Sequence, residues 1–182
     1  MATACGTIRA SIRYQAGLHV LDEDTRATMS AELRELFGYW EEQARRRGGA
    51  LPHRNSMVAL ELAERCPAAM PHIWMLDVER DPWRFRFRMI SRSIRLAVGT
   101  VPAGGYLSDL EGKQNWRPLY QAMVGLCEER QPDYRRGTPN IAALPELTEI
   151  ERLSLPLAHD GRNVDVILSA TLYRRADGSI LH

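Results

Sequence analysis

Between residues 72 and 90 apolar and polar positions alternate, the period of two that places successive side chains on opposite faces of a strand. Trp74, Leu76 and Val78 share one face with His72, while Ile73, Met75, Asp77 and Glu79 take the other. The first half of this strand is therefore apolar on both sides and needs a covering layer on each. In the second run Phe85, Phe87 and Met89 face one way and Arg84, Arg86 and Arg88 the other. Glu79-Arg80-Asp81-Pro82 lies between the runs. Pro82 fixes φ there and Asp81 can bond nearby backbone amides, so the two runs read as a hairpin.

Upstream, Met29, Leu33, Leu36, Phe37, Trp40 and Ala44 recur at steps of three and four, the spacing of one amphipathic helix within residues 22–50. Asp22, Glu23 and Asp24 at its start, Arg45, Arg46 and Arg47 at its end, and Gly48-Gly49 beyond complement the helix dipole and supply a stop. Residues 1–21 show no period and read as a flexible segment. A short helix is expected around Met57 to Arg65, another over Ser91 to Val98, a loop from Val101 to Tyr106 and a turn at Leu107 to Leu110. A long helix follows, capped by Asn115, with Trp116, Leu119, Tyr120, Met123 and Cys127 as its stripe and Pro118 in the first turn. Gln131 to Thr138 reads as a strand and residues 139–148 as a loop. Two alternating runs, Glu151 to Leu157 and Asn163 to Arg174, flank the hairpin signal Asp160-Gly161. The expected division is 1–21 flexible, 22–50 helix, 51–175 a strand-bearing domain, and 176–182 a tail.

With 182 residues, 45% of them apolar, the chain can bury one sizeable core. A formal charge of +1 gives no field to steer it to nucleic acid or an acidic membrane. No run approaches the roughly 20 apolar residues of a membrane span, and residues 1–20 contain no signal-peptide core. Cys5, Cys66 and Cys127 are far apart and odd in number, which fits a reducing cytoplasm better than a disulfide framework or zinc site.

One helix, two strands, several short helices, a longer helix and three more strands is the Per-Arnt-Sim (PAS) order. Two segments carry a closer likeness: Leu76-Asp77-Val78-Glu79-Arg80-Asp81-Pro82 with Arg84-Phe85-Arg86-Phe87-Arg88, and Glu151-Arg152-Leu153-Ser154-Leu155-Pro156-Leu157 ahead of Asp160-Gly161. Over about residues 30 to 175 the chain resembles a bacterial PAS-like family of alphaproteobacteria, formerly a domain of unknown function. The resemblance implies an α+β fold: a five-stranded antiparallel sheet in the order 2-1-5-4-3, helices on one face, and an N-terminal helix that covers the opposite face or pairs with another subunit. It does not transfer chemistry, because ligands are set by sites and not by folds.

Flavin photosensors of the PAS class need a cysteine on the short helix after the second strand, where this chain has Ser91-Arg92-Ser93-Ile94-Arg95-Leu96; covalent flavin chemistry is not expected. Haem ligation by a histidine of the long helix is not expected either, since residues 115–130 contain none. The five histidines show no metal-binding spacing and read as isolated. Arg84, Arg86 and Arg88 read as a solvated strand face and not as a nucleic-acid surface.

Trp74, Leu76, Phe85, Phe87, Tyr106, Trp116, Met123, Leu155 and Leu168 are the candidate lining of a pocket for a small apolar or aromatic ligand; dense packing of the same aromatics is the alternative. Leu33, Leu36, Phe37 and Trp40 are the candidate surface for a homodimer. The function expected is a non-enzymatic PAS-type sensory or regulatory domain acting through a ligand, a protein partner or both. Two alternatives are a ligand-free structural adaptor and an isomerase-like or hydrolase-like enzyme on a curved sheet, with Asp77 or His72 as its proton-transfer group.

Overall fold

The expected hairpin forms the edge of the main sheet. In the computed structural model, which describes residues 8–9, 12–15, 18–99, 104–110 and 115–182, β4 (Ile73–Glu79) pairs antiparallel with β5 (Arg84–Ile90). On its other side β4 pairs with β8 (Val166–Arg175), β8 with β7 (Leu147–Leu157), and β7 with β6 (Asp133–Gly137), all antiparallel. Counted among themselves, these five strands run 2-1-5-4-3. β1 (Ile8–Arg9) adds a sixth beyond β6, and β2 (Ile12–Gln15) and β3 (Leu18–Leu21) form a separate pair. Strands of two and four residues are too short to display a period, so none was expected there. Residues 101–103 of the expected loop, and Cys5, lie outside the described residues.

The first amphipathic run is two helices and not one: α1 (Glu23–Thr28) and α2 (Ala31–Arg46). Met29 and Ser30 between them have extended backbone. Asp22 caps α1 by accepting from the Thr25 amide at 2.7 Å. The break is held from across the molecule, because the Ser30 amide donates to Glu151 Oε1 at 2.7 Å and its hydroxyl to Glu151 Oε2. α3 is Ala59–Arg65 and α4 is Arg92–Val98; a 3-10 turn spans Leu107–Leu110 and α5 is Arg117–Glu129. Asn115 does not cap α5. Trp116 occupies the cap position, and its carbonyl takes the Tyr120 amide at 3.0 Å.

Residues paired across neighbouring strands share a face, so the register assigns every side chain to one of two layers. Trp74 pairs with Ser169, Thr171 with Arg152 and Arg152 with Arg135; this face lies under α4, the 3-10 turn and α5. Met75 pairs with Leu168 and Leu168 with Leu155, and this face lies under α2, whose Trp40 indole donates to the Pro156 carbonyl at 2.9 Å. The doubly apolar first strand thus has the two covers it requires. One irregularity matters for the site. A bulge opposite Met75 and Leu76 shifts β5, so that Met89 pairs with Met75 and Ile90 with Trp74. Met89 therefore leaves the face of Phe87, where strict alternation had put it, and Ile90 takes its place. Among the described residues, no helix is long and apolar enough to cross a membrane.

Candidate functional site

A cavity of about 40 Å³ lies between the sheet and the helices of its first face. Four strands supply its floor: Trp74 from β4, Phe87 and Ile90 from β5, Ile150 from β7 and Tyr173 from β8. Ile94 and Val98 of α4, Leu107 and Leu110 of the 3-10 turn, Leu119 of α5 and Ile141 of the β6–β7 loop form its roof. Into this apolar shell reach the polar side chains of Arg135, Asn140, Arg152 and Thr171.

The neutral polar groups are spoken for. The Trp74 indole donates to Thr171 Oγ1 at 3.0 Å, and the Tyr173 hydroxyl to the Ile141 carbonyl at 3.1 Å. Burial pushes the Tyr173 phenol far above its ordinary pKa, so it stays protonated. The two arginines are different. They sit opposite one another on β6 and β7. Arg152 is only 4% exposed, and its Nη2 donates to Asp133 Oδ2 at 2.6 Å. Arg135 spends Nη2 on the Thr138 carbonyl at 3.0 Å and Asn140 Oδ1 at 3.2 Å, both neutral acceptors. In each guanidinium the Nε is buried and has no hydrogen-bond partner. Burial lowers the Arg135 pKa and the Arg152 charge lowers it further, with Asp133 opposing. Two cations thus line a largely apolar chamber, and the carboxylate beside them, Asp133, is bonded to Arg152.

Comparison of the chain with protein-family models, with curated proteins and with solved structures gives no match. What the site can do is read from its own residues.

Of the nine residues expected to line a pocket, Trp74 and Phe87 do so, their rings tilted at 6.4 Å. Leu155 pairs with Leu168 and Leu168 with Met75, which puts both leucines on the opposite face under α2. The expectation grouped them with Trp74 because it lacked the register between strands. Leu76, Phe85 and Met123 are fully buried core residues outside the cavity lining. Phe85 meets Tyr120 edge-on at 5.5 Å, and Tyr120 meets Trp116 at 5.3 Å, so Trp116 belongs to a packed aromatic row and not to the cavity. Tyr106 stands at the β5 edge, its hydroxyl on Glu79 at 3.0 Å and the Arg84 guanidinium over its ring.

Leu33, Leu36, Phe37 and Trp40 are at most 1% exposed within the single chain. They seal the second face of the sheet and are not a free dimer surface. Asp77 is held by Arg86 at 3.2 Å and Arg88 at 2.8 Å on that second face, away from the cavity. His72 is buried beside the cavity's rim elements but does not line it; its Nδ1 meets Ser93 Oγ at 3.3 Å, and its ring packs on His182 at 5.3 Å. Burial first, then His182, pushes the His72 pKa down to about 4. Nor are the other histidines all isolated, since His53 Nε2 and His159 Nδ1 lie 3.0 Å apart beside the last hairpin.

Arg135, Arg152, Asn140 and Thr171 were not anticipated as site residues. A signal for Arg152 was present: Glu151-Arg152 interrupts an apolar run in a strand covered on both faces, and neighbours in a strand point oppositely. One charge must therefore enter each layer. Glu151, fully buried, enters the α2 side and binds Ser30, Tyr134 and Arg174; Arg152 enters the cavity side.

Proposed function

We propose that this chain is a non-enzymatic, cytoplasmic PAS-type sensory or regulatory domain, which takes a small molecule into the cavity between sheet and helices and passes its occupancy to a partner protein. The observation that carries this reading is the cavity itself, an apolar chamber with a few converging polar groups between the sheet and the helices of one face. The strand order 2-1-5-4-3 agrees with what the PAS resemblance implies. Binding is favoured over catalysis by the chemistry of the lining. Arginine, asparagine and threonine orient ligands but are poor proton carriers near neutral pH, and Asp77 and His72, on which an enzyme reading relies, stand outside. α4 and α5 roof the cavity with few residues each, so a ligand that presses on Ile94, Val98 or Leu119 would move elements that end at the surface.

Native mass spectrometry of the protein purified from its own host, under gentle and then denaturing conditions, tests the reading. One small molecule per chain, lost on denaturation, is expected. Bare mass under gentle conditions overturns the ligand-binding reading and leaves the structural adaptor in its place.

A further inference from the structure

We infer that the cavity is an anion site, built to receive the carboxylate of a short-chain monocarboxylic acid between Arg135 and Arg152 with its alkyl end against Trp74, Phe87 and Ile90. The inference rests on the ligand-binding reading above and names the class of ligand.

Three observations converge on it. The first is charge. Among the described residues, Asp133 is the one carboxylate bonded to either guanidinium, and it is bonded to Arg152 alone. Arg135 has only neutral acceptors. Arg135 is half-buried with its Nε fully enclosed; a cation shielded in this way gains from a counter-charge, and one carboxylate would balance the cavity. The second is donor inventory. Both Nε–H groups are buried and unsatisfied, and Arg152 is more than nine-tenths buried. A carboxylate has four lone-pair positions on two oxygens, enough to accept from both forks while the existing bonds to Asp133, Asn140 and Thr138 stay in place. Guanidinium suits this acceptor better than ammonium does, because its planar fork matches the carboxylate geometry. The third is size and polarity. A chamber of about 40 Å³ suits a small ligand. The remaining wall is aromatic and aliphatic, which favours an alkyl tail over a second charge and so a mono- over a dicarboxylate.

Isothermal titration of the full chain with sodium propionate, propionamide, sodium chloride and inorganic phosphate, at constant ionic strength, tests the assignment. Propionate is expected to bind one per chain, and propionamide, its neutral isostere, at least tenfold more weakly. Arg135→Gln, checked for folding by circular dichroism, should weaken propionate at least tenfold, while Arg135→Lys, which keeps the charge and loses the fork, falls between. Equal binding of propionamide and propionate, or unchanged affinity in Arg135→Gln, overturns the anion assignment yet leaves the cavity a ligand site. Chloride or phosphate binding as tightly as propionate overturns the carboxylate class. Absence of binding by every probe overturns the inference; the wider reading then falls only if the host-purified protein is also bare by mass spectrometry.

Discussion

His72 shows how one residue's surroundings become a property of the fold. Enclosed by Ser93 and His182, with Glu32 and Arg174 acting on it from further elements, it stays neutral in the folded protein down to a pKa of about 4. In the unfolded chain an imidazole takes its proton near pH 6.5. The unfolded state therefore binds more protons between these values. The stability that neutral His72 contributes is complete above about pH 6.5 and is lost as pH falls toward 4, up to about 3 kcal/mol in all. Urea titrations at several pH values should show a steeper loss for wild type than for His72→Asn across that window. Parallel curves would mean that the burial of His72 has no energetic consequence.

At the scale of elements, a single buried carboxylate joins both ends of the fold. Glu151 of β7 accepts from the Ser30 amide and hydroxyl at the α1–α2 break, from the Tyr134 hydroxyl of β6, and pairs with Arg174 of β8. Glu151→Ala removes the acceptor of the Ser30 amide and of the buried Tyr134 hydroxyl and the counter-charge of Arg174, and should cost about 3 kcal/mol, read as a lower urea midpoint; a loss below about 1 kcal/mol would mean that the break is fixed by α2 packing alone. The helix periodicity of residues 29–44 was legible, but the break was not. It depends on a partner more than a hundred residues away, and local pattern does not contain that. The same applies to the strands. Alternation assigned Trp74 and Phe87 to one layer correctly, because both belong to one hairpin with a short turn. Leu155 and Leu168 were misassigned because parity between distant strands is set by register, and Ile90 was missed because a bulge resets parity partway along β5. The apolar stripe of α2 was legible as a burying face. What it would bury against was not, and the structure answers with the chain's own sheet.

For the whole molecule, the two faces of the sheet divide the work. α2 closes one with large, fully buried side chains, among them Leu33, Leu36, Phe37 and Trp40, each contributing on the order of 2 kcal/mol of burial. The other face keeps a chamber of about 40 Å³ between the sheet and α4, the 3-10 turn and α5. The chamber's arginines were hidden in sequence by the abundance of arginine elsewhere, and only the double burial of β7 marks Arg152 as inward. Nitrogen-15 NMR of the arginine side chains tests the central claim most directly, because the Nε–H groups of Arg135 and Arg152 are themselves the unsatisfied donors. On addition of propionate both Nε–H signals should shift and exchange more slowly with water, while propionamide leaves them in place. Signals unmoved by propionate, or moved equally by both compounds, would contradict a carboxylate held between these two residues.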